Sequence, residues 1–225
     1  MVSVILTNEE NNQFPNNTKP HPLSYHPDRP VTRAVHMIRK IISKSKVPED
    51  PLHAENTVAL LLKLKPDTPL WLRIAALGHD IERALPDSIK TQRLNFSSYD
   101  DFKRAHAENS ARILKGLLIK CGVDSHLVER VHELVRLHEF GGTRDADLLK
   151  DADSLSFFCV NLPLFMLREQ EETVKKRVAW GISRLGPDAL RMLKQWCDQG
   201  HPDSGAKNYT RWPAHLILEQ MDEMT

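Results

Sequence analysis

The sequence predicts an all-α fold, a helical bundle preceded by an irregular arm, and three observations carry that expectation. From Pro30 onward apolar residues recur at i, i+3, i+4 and i+7. The sustained apolar–polar alternation of a half-buried strand is absent. Helix punctuation also falls where the periodic stretches start and stop.

Taken in order, residues 1–29 are rich in Asn and Pro without a sustained period and read as an irregular N-terminal arm. Helices are then predicted near 30–45, 51–64, 69–83, 99–121, 124–140, 145–160, 165–184, 187–199 and 212–223. Thr68-Pro69 reads as a cap and first turn, Gly122 as a stop followed by Asp124 as the next cap, and Gly141-Gly142 as the close of the helix before them. Residues 30–160 form the expected main helical domain, and 161–225 are expected to supply C-terminal helices packed on it. Those helices are expected to close the core or a homodimer face and to add no chemistry, with Trp180, Trp196 and Trp212 as packing residues.

Composition excludes several classes of function. The chain has 225 residues with 31 Lys+Arg against 30 Asp+Glu, so a net charge of +1 gives no field for nucleic acid, and none is expected as a partner. No apolar run approaches the about 18 residues of a membrane span, and the start lacks the core of a signal peptide. Three cysteines with no C-x-x-C argue against a disulfide framework or zinc knuckle, so the expected setting is the cytoplasm, with no membrane partner. Histidine is the outlier, with 11 residues.

Four of those histidines fall on apolar helix stripes. His53 continues into Thr57, Leu60, Leu61 and Leu64, and His79 lies with Leu72, Ala75 and Ala76. His106 shares a face with Phe102, Ser110 and Ile113, and His138 ends the stripe Val131, Leu134, Val135. One such residue is ordinarily a core histidine satisfied by a carbonyl; four on four helices is a pattern. Asp80 follows His79 at a place where an unpaired buried carboxylate would cost several kcal/mol. Asp151 and Asp153 lie in a hydrophobic helix further on. His36 lies on the first helix, as core or as neighbour of the site, while His21, His26, His126, His132, His201 and His215 fall in the arm, loops or mixed surroundings.

The order His53, His79-Asp80, His106, His138 and then Asp151 or Asp153 resembles the HD superfamily of metal-dependent phosphohydrolases, especially its dinuclear members. HDIER, HAENSARIL and HEFGGTRDADLLKDADSL carry the likeness, which covers residues 30–160. The nearest subgroup is the symmetrical dinucleoside tetraphosphate hydrolases with an HD domain. The resemblance implies an HD-type helical bundle binding two divalent transition ions, with Fe, Mn or Ni favoured over Mg and zinc a further candidate. Asp80 would bridge, with His53, His79 and Asp153 completing one site and His106 and His138 the other. Asp153 matches the A-D-x-L wording better than Asp151 does.

A phosphoryl transition state also needs cations. Arg83, where such enzymes carry lysine, is the first candidate, for catalysis and for binding. Lys103 and Arg144 are weaker candidates whose default is a solvated surface charge. Glu82 is the candidate proton donor to a leaving group. Residues 84–98, with Lys90 and Arg93, read as a loop covering the site. Asn56, Thr57, Asn109 and Ser110 neighbour two of the histidines and are candidates to orient them. The expected substrate is a small phosphorylated molecule, an ester or anhydride of a nucleotide. A di-iron oxygenase with the same ligand order and a non-catalytic ligand-sensing module are the alternatives.

Overall fold

The computed structural model describes residues 29–199 and 213–223, and these contain helices and no strand. Ten α-helices follow one another: α1 Arg29–Ile42, α2 Asp50–Leu64, α3 Leu70–Gly78, α4 Tyr99–Lys120, α5 Ser125–Leu137, α6 Arg144–Ser156, α7 Leu162–Arg168, α8 Glu171–Ser183, α9 Pro187–Gln199 and α10 Ala214–Glu223. The arm as far as residue 28, together with His21, His26, His201 and Trp212, lies outside the described residues.

Helix α3 is central because its sequence, LWLRIAALG, is apolar around most of its circumference and must be enclosed. It packs against α1, α2, α5 and α6. Leu72, Ile74 and Leu77 meet Ile38, Leu60, Leu61, Leu149 and Leu155 in one core, each less than 2% exposed. Helices α4 and α5 run side by side, and Gly122 between them has φ +77°, a left-handed conformation that a side chain would disfavour. Asp124 then caps α5, its carboxylate accepting from the backbone N–H of His126 and Leu127 at 3.0 and 3.2 Å. Gly141 and Gly142, at φ +75° and +109°, make the next turn into α6, which Thr143 caps.

Three departures from the predicted elements matter for the site. The expected helix 69–83 stops at Gly78; Asp80 turns to φ −100°, ψ 18°, and a single 3-10 turn spans Ile81–Ala84. The helix 145–160 ends at Ser156 and passes through a π-helical turn, Phe157–Asn161, into α7. Pro163 at the start of α7 has no N–H to give, and the Leu162 N–H reaches back to the Phe157 carbonyl. The helix 165–184 is two helices, broken at the extended Glu169, where Arg168 closes on buried Glu49. Thr68 is also no cap: Pro69 holds that position and the Thr68 hydroxyl donates to the Lys65 carbonyl.

Candidate metal centre

The end of α3 brings His79 and Asp80 to the middle of the bundle. His79, 1% exposed, donates from Nδ1 to the Ala76 carbonyl at 2.8 Å, which fixes its tautomer and turns Nε2 inward. Because the chain leaves the helix at Asp80, this carboxylate also turns inward instead of pointing a hundred degrees away around a helix.

Two groups of side chains that could hold metal ions lie side by side, with Asp80 of one reaching His79 of the other. In the first, His53 of α2, His79 and Asp153 of α6 offer ligand atoms within 4.8 Å of one another. The Nε2 atoms of His53 and His79 are 3.3 Å apart, and both approach Asp153 Oδ1, at 3.1 and 3.3 Å. In the second, Asp80, His106 of α4, His138 and Glu139 at the end of α5 meet the same limit. Asp80 divides its oxygens: Oδ1 lies 2.8 Å from His106 Nε2 and 3.9 Å from His138 Nε2, while Oδ2 lies 3.9 Å from His79 Nε2.

Most of these side chains are held from the far side; His53 Nδ1 is buried with no hydrogen-bond partner among the described residues. His138 donates from Nδ1 to the Val135 carbonyl at 2.6 Å, leaving an Nε2 that is buried and has no hydrogen-bond partner among the described residues. His106 Nδ1 is 3.1 Å from Glu82 Oε2, and Glu82 also accepts from the Thr91 backbone N–H. Arg184, directly after α8, donates from Nη2 to Asp153 Oδ2 at 2.9 Å and to the His138 carbonyl at 3.1 Å, and from Nε to the Glu139 carbonyl at 3.2 Å. Lys103 and Arg184 both pair with Glu139.

Charge follows from this packing. Burial opposes ionisation of Asp80, Asp153 and Glu139, yet the surrounding cations and imidazoles outweigh it and hold all three well below the usual carboxylate range. Burial likewise opposes protonation of His79, and Asp80 and Asp153 overcome it, pushing this imidazole up to about 9. The set could therefore hold cations, which would compete with the His79 proton.

His106, Glu82 and Arg83 also form part of the wall of a cleft of about 760 Å³. Its other walls carry Lys90 and Thr91 from the loop, Tyr99, Phe102 and Lys103 of α4, Phe165 of α7, and Lys176, Arg177 and Trp180 of α8.

A family model described as Domain of unknown function (DUF4202) matches residues 33–199. The chain belongs to this family. No curated protein and no solved structure gives a significant match. The DUF4202 region runs from α1 through α9, so it contains both ligand groups, the cleft and Arg184.

Within the DUF4202 domain the structure gathers His53, His79, Asp80, His106, His138 and Asp153 as the sequence suggests. Asp151 stands aside, its Oδ1 accepting from the Gly186 N–H at 2.8 Å. Arg83 reaches the cleft, with Nη2 2.9 Å from Asp50 and Nε 3.6 Å from Asp80. Lys90 and Lys103 line it too, and Lys103 is buried, contrary to its expected surface placement.

Four expectations need correction. Arg144 is exposed beside Arg130 and Glu133, away from the cleft, because it opens α6 on the outer side. Arg93 is exposed, with Nη1 on the Phe96 carbonyl at 2.6 Å. Glu82 holds His106 and the loop, and these donors keep it below its ordinary value against the effect of burial, so its oxygens accept from His106 and Thr91 where the sequence leads one to expect a free acid. The residues beside the histidines do not touch the imidazoles: Asn56 donates to the Ser156 hydroxyl, which donates to the His53 carbonyl, Thr57 donates to that same carbonyl, and Asn109 donates to the Ile89 carbonyl, which ties the loop to α4. Ser110 is buried without a hydrogen-bond partner. His36 is exposed on α1.

Sequence reasoning missed Glu139, Arg184 and the charged surroundings of Trp180. Glu139 directly follows His138 where α5 ends, so both neighbours turn inward; the acidic residue inside a core-facing helix end was the available signal. Arg184 had no local signal. Trp180 packs as expected, and what it packs against is charged: the Arg184 and Arg177 guanidiniums lie 4.5 and 4.3 Å from its ring centre.

Proposed function

We propose that this DUF4202 domain is a metal-dependent phosphohydrolase of the HD type, in which His53, His79, Asp153, Asp80, His106 and His138 would hold two divalent ions and the substrate is a nucleotide-like phosphate ester or anhydride. The observation that carries the reading is the adjacency of two ligand groups, Asp80 of one reaching His79 of the other, opening through His106 onto a cleft with five cations and four aromatic side chains.

The residues fit metal ions on the chemistry of the donors. Imidazole nitrogens and carboxylate oxygens crowd one another, and the buried His138 Nε2 faces only carboxylate oxygens, Glu139 Oε1 at 3.3 Å and Asp80 Oδ1 at 3.9 Å. Such mixed N/O sets suit first-row transition ions. Divalent ions held there would acidify water and neutralise charge on the phosphoryl oxygens.

The chain's own groups do the rest. Ala76, Val135 and Glu82 fix three imidazoles with Nε2 toward the centre. Arg184 ties up Asp153 Oδ2 and leaves Oδ1 for His53 and His79. Arg83, whose side chain is 40% exposed, keeps N–H groups free to meet phosphoryl oxygens from the cleft wall. Tyr99, Phe102, Phe165 and Trp180 line the cleft with apolar surface suited to a base and keep water from the charged groups.

The test is phosphate release from a nucleotide panel by protein loaded with Mn(II) or Fe(II). Activity should vanish, together with bound metal, in His79→Ala and Asp80→Ala while helical circular dichroism persists. Turnover that survives in a metal-stripped, correctly folded variant contradicts the proposal.

A further inference from the structure

The cleft's five cations are not alike. Arg83 holds Asp50, Lys90 holds Asp87, Lys103 holds Glu139 and Lys176 holds Glu172. Arg177 alone among them has no carboxylate partner among the described residues. Its guanidinium lies 4.3 Å from the ring centres of both Phe157 and Trp180, which set its plane, and its Nη1 is enclosed without a hydrogen-bond partner. An enclosed, pre-oriented and unpaired guanidinium is costly to keep unless an anion completes it.

Lys103 links this residue to the metal centre. Its Nζ pairs with Glu139 and lies 5.5 Å from the centre of the same Trp180 ring. An anion at Arg177 is therefore within one small molecule's length of the ligand groups, yet on a different helix from any of them.

We infer that Arg177, backed by Trp180, is a second anion subsite, so that the substrate carries two anionic groups: one meets the metal-capable residues and the other pairs with Arg177. The inference deepens the phosphohydrolase reading, on which it relies only for the nature of the first group. It gives helix α8 a role in specificity.

Non-hydrolysable alkylphosphonates test it without turnover. Isothermal calorimetry on the full-length protein loaded with Mn(II) compares phosphonates ending in a methyl group with those ending in a carboxylate or a second phosphonate, on chains of several lengths. At the best length the wild type should favour an anionic tail about tenfold or more. The preferred tail tells a carboxylate from a phosphate. Arg177→Met, which keeps an apolar chain between the two rings, should bring the ratio close to one, and Arg177→Lys should keep part of it. Circular dichroism confirms folding of both variants. A wild type that binds charged and methyl tails alike at every length, or a preference that survives in Arg177→Met, overturns the inference. Because the ratio compares tails on one head group, it stands or falls separately from the metal dependence of phosphonate binding, which tests the hydrolase reading.

Discussion

Arg184→Met is the substitution whose consequence can be worked furthest. Arg184 is 8% exposed and bridges α8 to the ends of α5 and α6 through Asp153, Glu139 and two backbone carbonyls. Methionine fills similar space but leaves Asp153 Oδ2 and Glu139 Oε2 as buried anions with their nearest cation removed. Breaking a buried pair in this way costs about 3–5 kcal/mol. For a chain of this size that corresponds to a fall in melting temperature of roughly 10 °C. Lys103 still holds Glu139, so the lower end of the range is the better expectation.

The assay is urea denaturation of wild type and variant in chelator, then with Mn(II). Metal ions bring positive charge to the same carboxylates, so the gap between the two proteins should narrow when metal is added. Arg184→Lys should fall between them, keeping the charge and losing the fork. A loss below about 1 kcal/mol in chelator, the value of an exposed ion pair, would refute the reasoning, as would a gap that metal leaves unchanged.

Two further outcomes follow from the same geometry. Asp153→Asn should lose metal affinity in calorimetric titration, while Asp151→Asn should keep it, since Asp151 only receives the Gly186 N–H; equal effects would remove Asp153 from the ligand set. The metal-stripped protein should also have a bounded range of pH stability. His79 is raised from 6.5 to about 9 despite burial, by Asp80 and Asp153, so its contribution is complete below pH 6.5 and is lost as pH rises through 9. Asp80, Asp153 and Glu139 are depressed, and theirs is lost as pH falls below the carboxylate range. Melting temperature against pH should therefore decline on both sides, and bound metal should abolish the alkaline decline by displacing the His79 proton. An alkaline decline identical with and without metal would contradict this.

The parts of this site legible in the sequence are those written in helical period. His53, His79 and His106 announce themselves because an ionisable residue on an apolar stripe is conspicuous, and their burial follows from the stripe. What the period could not show lies where it ends. The chain leaves α3 at Asp80, so Glu82, three residues past His79, points at His106 instead of at solvent. Glu139 turns inward for the same reason at the end of α5. Arg184 and Arg177 reach the site only through the packing of α8, which no local pattern encodes. Arg144 fails in the opposite sense: a cation close in sequence to His138 is carried outward by the Gly141-Gly142 turn.

The most direct test of the central claim is the metal content of the full chain, purified anaerobically, loaded with Fe(II) or Mn(II) and freed of loose ions by gel filtration. Two adjacent ligand groups, with Asp80 of one reaching His79 of the other, predict about two ions per chain, falling to one or none in Asp80→Ala. A folded wild type that retains no metal, with no rise in melting temperature on adding either ion, would contradict the account.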